Sequence, residues 1–382
     1  MIIFFIVLVF LLFYTYSGYF LLLKIISFFR STPVQKGEYL PQATLLIPVY
    51  NGEKVIRGKL ENCLKLDYPQ EKLRIIVISD SSTDRTEEIA QSFQDQGVKL
   101  IRLGKRGGKT RALNLALKDV QTELVFFTDA STFLSENSLR NIARNFADLN
   151  VGCVSGEDRS ISAFSEKSES GEGLYVGLEM KLRRLESQSG NLTGVSGCLY
   201  AIRGELVNEI PNDLIDDFYL PLQVVKKGKR VVSEPEATAF VTKVTDFKEE
   251  FRRRSRTTLG GLEVFFSELS LLNPFKYGIF SLELLSHKLL RWLTPFLLLL
   301  LSLTNIFLLH THLIFRLTFL FELLTVLIVL IHWLFLSNKK SAGIFSYFES
   351  IFYFYLVNLA LLFAWVKFIS GKREIIWEPS RR

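Results

Sequence analysis

ELVFFTDASTFL, Glu123 to Leu134, is an apolar, aromatic run that ends on a carboxylate, Asp129, with a hydroxyl, Ser131, two positions later. Working outward, three more short runs have the same character: TLLIPV (Thr44–Val49), RIIVIS (Arg74–Ser79) and VKLIRL (Val98–Leu103). Helix-length patterns separate them. This alternation predicts a parallel sheet covered by helices on both faces, with ligand bound beyond the carboxyl ends of the strands. Polar residues stand at those ends: Pro48-Val49-Tyr50-Asn51 after the first run, Asp80 after the second and Asp129 after the fourth. A lone acid or hydroxyl after a strand is ordinarily a helix N-cap, and that is the expectation for Asp84 and Ser135. Coincidence at several strand ends favours a ligand role for Asp80 and Asp129. In GKRGGKTRALNLAL (Gly104–Leu117), glycines and Lys109 open a helix, an arrangement suited to phosphate, although a plain glycine turn with a solvated lysine has the same pattern. The Walker A spacing is absent.

Of the 382 residues 48% are hydrophobic, and 33 are Phe, which allows two domains or one domain with a membrane part. Ile2–Leu23 carries no charge and is long enough to cross a bilayer. No Lys or Arg precedes Lys24 and no small-residue cleavage site follows, which argues against a cleaved signal peptide. Leu293–Leu309, Leu317–Asn338 and Gly343–Val366 read as three further spans. Glu322 and Glu349 within or near them are either paired or line a groove. The expected organisation is an N-terminal transmembrane helix (1–30), a cytoplasmic domain (40–270), interfacial helices (271–292), C-terminal transmembrane helices (293–370) and a basic tail (371–382). Lys24, Arg30, Arg252, Arg253, Arg254 and Arg256 flank the spans on the domain side, and Lys339 and Lys340 agree, so the positive-inside bias places the domain in the cytoplasm at the inner (plasma) membrane. The tail GKREIIWEPSRR conflicts with one span before the domain and three after it. Either one apolar run is re-entrant or interfacial, or the tail is an exception.

The net charge of +7, from 46 Lys and Arg against 39 acids, gathers near the spans and suits anionic membrane lipids. Nucleic acid is excluded as a partner because no basic stripe is interleaved with stacking aromatics. Cys63, Cys153 and Cys198 are odd in number and lack metal-ligand spacing, which fits buried, reduced thiols.

The order PVYNGEKVI, VISDSSTDRT, GGKTRALNLAL, FTDAST, GCLYAIRGEL, LIDDFYLPLQVVKKGKRVVSEP and FRRRSRTTLGG resembles a family 2 glycosyltransferase of GT-A fold, in the membrane-bound branch of hyaluronan, cellulose, chitin-oligosaccharide and poly-N-acetylglucosamine synthases. The resemblance covers about residues 43–262. It implies an α/β, Rossmann-like mixed sheet between N- and C-terminal membrane helices, and inverting transfer from a nucleotide-sugar, with UDP expected, to a growing polysaccharide or lipid-linked glycan. Pro48, Tyr50, Asn51 and Asp80 would hold the nucleoside, Asp80 by accepting from the base, with Lys109 near the same nucleotide. Asp129 would stand for the first acid of the family's DxD signature, which binds the diphosphate through Mg²⁺ or Mn²⁺, and Ser131 for the second. A hydroxyl there compensates less charge, so weaker metal affinity is expected. Asp217, second of the pair Asp216-Asp217, would be the general base. Arg256 would match the Arg of Q-x-x-R-W and contact the diphosphate, whereas Arg253 and Thr257 replace the Gln and Trp, which puts processive polymerisation in question. Single addition to a glycolipid or lipid carrier, an inactive nucleotide-sugar-binding subunit, and membership of an export or synthase complex are the alternatives carried forward. Gly194 and Gly197 in SGNLTGVSGCLYAIR are expected to leave room for a sugar.

Overall fold

The structure, a computed structural model, describes residues 1–160, 171–242, 246–336 and 345–374. Helices α1 (Ile2–Phe13) and α2 (Tyr19–Phe29), joined by a π-helical turn, make one apolar rod. The chain then alternates: β1 (Ala43–Val49), α3 (Ile56–Leu64), β2 (Leu73–Ser79), α4 (Thr86–Gln91), β3 (Val98–Arg102), α5 (Lys109–Leu117) and β4 (Leu124–Thr128). β5 (Phe133–Leu134), α6 (Ser138–Arg144), β6 (Val151–Ser160), α7 (Gly171–Ser189), β7 (Leu199–Arg203), α8 (Asp216–Lys226) and β8 (Arg230–Val241) complete the sheet-bearing part. After it come α9 (Phe247–Ser267), α10 (Pro274–Tyr277), α11 (Ile279–Leu284), α12 (Arg291–Leu308), α13 (Leu313–Ile331) and α14 (Phe345–Ile369).

The strands form one sheet in the order β3-β2-β1-β4-β7-β6-β8-β5. β1 pairs parallel with both β2 and β4, as the four runs predict, and every residue of β1 is buried, which explains its unbroken apolar sequence. β7 then pairs antiparallel with β4, and the sheet becomes mixed. One face packs on α3, α4 and α6 through Ile56, Leu60, Ala90, Leu139 and Ile142. The other packs on α5, α8 and α11 through Leu113, Leu222, Val224 and Phe280. Because the chain moves outward from β1 through β2 to β3 and then returns to β4, the order reverses between β1 and β4, and the crevice beyond their carboxyl ends is where a ligand is accommodated.

Among the described residues, four helices are long and apolar enough to cross a membrane: Ile2–Phe29, Ile279–Leu308, Leu313–Leu334 and Phe348–Ile369. The second begins at Ile279, well before the apolar run at Leu293, because a π-helical turn, Leu285–Leu290, carries α11 into α12 without a break. Asn338, Lys339, Lys340, Gly343 and the tail beyond residue 374 lie outside the described residues. Glu322 is paired: Asn305 Nδ2 donates to its Oε1 at 3.2 Å.

Helix α14 runs beside α9 along its length. Phe247 meets Phe352 with ring centroids 4.9 Å apart at one end, and Phe266 stacks on Phe368 at 5.0 Å at the other. Between them, Arg254 donates to the Tyr353 hydroxyl at 2.7 Å, and that hydroxyl donates to Glu250 at 3.0 Å. Past the end of α14, Arg373 pairs with Asp213 of the sheet-bearing part.

Candidate active site

At the end of β1, Asn51 has a φ of 48°, and after β2 Ser81 has a φ of 58°, a region that non-glycine residues enter only where the surroundings enforce it. Asn51 is held by Thr83, whose N–H donates to Asn51 Oδ1 at 2.8 Å, and by its own N–H donating to Ser82 Oγ at 3.1 Å. These bonds close the β1 turn onto the β2 turn. The Arg106 guanidinium lies 3.8 Å from the centroid of the Tyr50 ring. Asp84, expected to cap α4, stands one residue before the cap position Arg85, and its carboxylate accepts from the Thr86 N–H at 3.0 Å.

Asp80, expected to meet a nucleobase directly, is buried and fastens the glycine turn: its two oxygens accept from the N–H groups of Gly107 (2.7 Å) and Gly108 (2.9 Å). Gly108, at φ 89°, sits just before α5 in a conformation that an L side chain rarely adopts. Asp80 and Gly108 together aim Lys109, the first residue of α5, into the crevice.

There Lys109 Nζ lies 3.1 Å from Asp129 Oδ1 and 3.3 Å from Asp216 Oδ1. Burial disfavours its charge, but Asp129, Asp216 and Asp217 outweigh burial and raise its pKa above the usual lysine value. Asp216 and Asp217 open α8, where the helix dipole favours acids. Asp216 is buried and also accepts from the Tyr200 hydroxyl at 2.7 Å, and the Tyr200 ring stacks on Phe127 of β4 at 4.5 Å. Asp217 behaves differently: burial and then the neighbouring Asp216 push its pKa up to about 7, against the pull of Lys109. Its carboxylate occupies the space expected to admit a sugar beside Gly197, where an added Cβ would lie 2.6 Å from Asp217 Oδ2. Gly197 is therefore glycine so that Asp217 can reach the crevice.

Two positioning residues escaped the sequence reading. Lys59 of α3 is fully buried beneath the Asp129-Ala130-Ser131 turn and donates to Thr128 Oγ1 at 2.9 Å and to the Thr132 carbonyl at 2.6 Å, bracketing the turn on both sides. The signal was present in the pattern: Ile56, Lys59, Leu60 and Cys63 share the apolar face of α3, so the lysine is spaced as a core residue. Ile215, immediately before the acid pair, is the second. It packs so tightly on α9 that a Cβ on Gly260 would lie 2.7 Å from its Cγ2, so α9 backs the acids. Arg256 lies half-buried on this same helix, one turn before Gly260.

Among the described residues no group of three or more His, Cys, Asp or Glu could hold a metal by itself. Apart from the acid pair of α8, the crevice offers the carboxylate of Asp129, partly exposed and with one oxygen on Lys109, and the Ser131 hydroxyl two positions on. That donor set suits a divalent cation whose remaining ligands are waters and a substrate diphosphate, the usual mode for Mg²⁺.

Residues 44–210 match the family model described as Glycosyl transferase family 2. The chain is 26% identical over 227 residues to the poly-beta-1,6-N-acetyl-D-glucosamine synthase of Staphylococcus aureus, an alignment covering 58% of this chain and 55% of the relative. It is also 26% identical over 238 residues to the probable glycosyltransferase YdaM of Bacillus subtilis, again over 58% of this chain and 55% of the relative. The chain thus spans about half the length of the curated relatives it matches. Among solved structures, a mannosyltransferase from Pyrobaculum calidifontis, PcManGT, in complex with GDP-Man and Mn²⁺, superposes with a TM-score of 0.72 at 22% identity, covering 97% of this chain and 99% of that one. The mixed sheet is of GT-A type, and residues 44–210 within it are what matches the glycosyl transferase family 2 model.

Proposed function

We propose that this protein is a membrane-bound, inverting glycosyltransferase that moves a sugar from a nucleotide-sugar to a growing polysaccharide or lipid-linked glycan, with Asp217 as general base. The observation that carries the reading is the cluster of Lys109, Asp129, Asp216 and Asp217 at the point where the strand order reverses. Asp217 takes the proton of the acceptor hydroxyl as that oxygen attacks the sugar's C1. The C1–oxygen bond to the nucleoside diphosphate breaks on the opposite face, and its electron pair leaves with the diphosphate. Lys109 neutralises part of that charge, Asp216 and Tyr200 hold Lys109 in place, and Lys59 fixes the turn that presents Asp129. A divalent cation, Mg²⁺ or Mn²⁺, bound by Asp129, Ser131 and the diphosphate would supply further positive charge. The sugar transfer named for the Staphylococcus aureus relative and the GDP-Man and Mn²⁺ held by the Pyrobaculum protein support a nucleotide-sugar donor and a divalent metal. Pro48, Tyr50, Asn51 and the turn fastened by Asp80 would receive the nucleoside, and Arg256 the diphosphate. Incubating membranes with labelled nucleotide-sugars and sizing the product tests the reading. A long water-soluble polymer identifies a synthase, and a short organic-extractable product identifies single addition to a lipid.

Substituting Ser131 with Asp restores a second carboxylate beside the diphosphate. Activity is expected to persist, with the Mn²⁺ concentration for half-maximal rate falling several-fold in a titration of the purified protein. Complete loss of activity would contradict the assignment of residues 129–131.

We further propose that α14 lies in the membrane interface instead of crossing it. It follows α9 end to end, and α9 carries Lys248, Glu249, Glu250 and Arg252–Arg254, charges too costly for the hydrocarbon core. Three crossings then leave residues 371–374 on the catalytic side, where Arg373 meets Asp213, and the basic tail no longer conflicts with the positive-inside bias. A cysteine placed at position 373 is expected to react with a membrane-impermeant maleimide only in opened cells, and one at His312 in intact cells. Labelling of position 373 in intact cells would restore four crossings.

A further inference from the structure

One cation beside the acid pair is unused by the transfer described above. Lys288 stands on the π-helical turn between α11 and α12. Its ammonium lies 5.4 Å from the centroid of the Phe218 ring, next to Asp217 in sequence, and 3.4 Å from where a Cβ on Gly194 would sit. Its charge acts on Asp217. Among the described residues nothing accepts a hydrogen bond from it. The neighbouring ions are otherwise engaged. Glu179 holds Arg291 at 2.5 Å and His287 Nε2 at 2.9 Å, while Glu186 takes His287 Nδ1 at 2.6 Å and the Tyr19 hydroxyl at 2.8 Å. Arg183, buried nearby, donates to the Gly194 carbonyl at 2.8 Å. Lys288 therefore lies beside Asp217, half-buried, feeling the charges of Glu179 and Glu186 but with no acid hydrogen-bonded to it among the described residues. A neutral acceptor would desolvate that ammonium further without giving it a hydrogen-bonded anion.

The level of Lys288 in the membrane narrows the choice. Three residues later come Arg291, paired with Glu179, and Trp292, packed on Gly261, and the largely apolar remainder of α12 follows, so Lys288 lies near the start of a helix long and apolar enough to cross a membrane. Lipid phosphates lie at this depth. We infer that Lys288 holds a phosphate group of the acceptor, a membrane lipid whose phosphate-bearing headgroup also carries the hydroxyl that Asp217 deprotonates. A lysine is a compact point charge that suits a phosphate without demanding bidentate geometry. The absent side chain at Gly194 leaves the Lys288 ammonium open from that side. The inference rests on the transferase reading and adds the acceptor's chemical class. Atoms balance as in that reading: the headgroup hydroxyl gives its proton to Asp217, its oxygen bonds to C1, and the nucleoside diphosphate departs.

The test uses the full chain in phosphatidylcholine vesicles with the donor that it turns over. The vesicles carry in turn phosphatidylglycerol, which has phosphate and hydroxyls, or diacylglycerol, which has a hydroxyl alone; a third set is given soluble glycerol phosphate. Label is expected in phosphatidylglycerol, at least tenfold less in diacylglycerol. Lys288→Gln is expected to raise the phosphatidylglycerol content for half-maximal rate about tenfold with the donor KM unchanged, the scale of one lost charge-assisted hydrogen bond. Lys288→Arg is expected to restore most of it, which a folding defect would not allow. Equal labelling of diacylglycerol, or an unchanged half-saturation in Lys288→Gln, would overturn the inference. Transfer to soluble glycerol phosphate but not to phosphatidylglycerol would overturn the lipid assignment. Nucleotide release from no donor under any condition would instead overturn the transferase reading itself.

Discussion

Asp217→Asn is expected to lower sugar transfer by roughly 10²- to 10⁴-fold, the usual contribution of a positioned general base, while nucleotide affinity changes little. The amide keeps the shape of the side chain, so the fit beside Gly197 survives, but it cannot take a proton. The same carboxylate predicts the pH profile. Burial and Asp216 push the Asp217 pKa up to about 7, and a base works only when ionised. kcat/KM, which reports the free enzyme, is therefore expected to fall as pH drops below about 7, with a slope of one proton, and to level off above it. In Asp217→Asn that limb disappears from the residual rate. A profile still flat at pH 5 in the parent protein would mean that another group takes the proton.

The second large effect concerns Lys109. Its ammonium is the counter-charge shared by Asp129 and Asp216, with Asp217 close by. Lys109→Met leaves these carboxylates facing one another. Removing one partner from a buried ion pair costs about 3–5 kcal/mol, and because the Lys109 side chain keeps 21% exposure the expected loss is nearer 2–3 kcal/mol. Thermal unfolding in detergent should register it as a drop of several degrees. The acids freed in this way should also bind a divalent cation more tightly. Added Mn²⁺ is therefore expected to restore the unfolding temperature of Lys109→Met at concentrations that leave the parent protein unchanged. A variant equally stable without metal would show that the three acids are not electrostatically coupled through this lysine.

Much of the sheet-bearing part was legible because its first half is built from local signals. The runs that became β1 and β4 are buried throughout and β2 is buried from Ile75 on, so their sequences are nearly unbroken apolar stretches, while the edge strand β3 exposes Lys99 and Arg102; the four pair in the parallel order that such runs predict. Asp129 could be named because it follows a strand, whereas Asp216 and Asp217 could be named only through the resemblance, since an acid pair opening a helix carries no ligand signal of its own. What the sequence concealed depends on long-range contact. Asp80 stands at the end of its strand, but its partners are the N–H groups of Gly107 and Gly108, since a strand-end carboxylate satisfies a neighbouring turn as readily as a ligand. Gly197 was read as space for substrate, yet the atom nearest to it belongs to Asp217. Lys59 and Lys288 sit in stretches of apolar periodicity, where a lysine's destination is settled only by the packing of distant elements. Hydropathy alone made α14 a fourth span; only its alignment with the charged helix α9 argues for another placement.

Sugar transfer in this crevice, with Asp217 as base, is tested by comparing the parent protein with Asp217→Asn. Both are incubated in membranes with a panel of radiolabelled nucleotide-sugars and Mn²⁺, and nucleotide binding is measured in parallel. The account predicts label transfer from one donor in the parent protein, near-complete loss in Asp217→Asn, and nucleotide affinity within about twofold. Transfer at the parent rate by Asp217→Asn, or collapse of nucleotide binding together with activity, would contradict it.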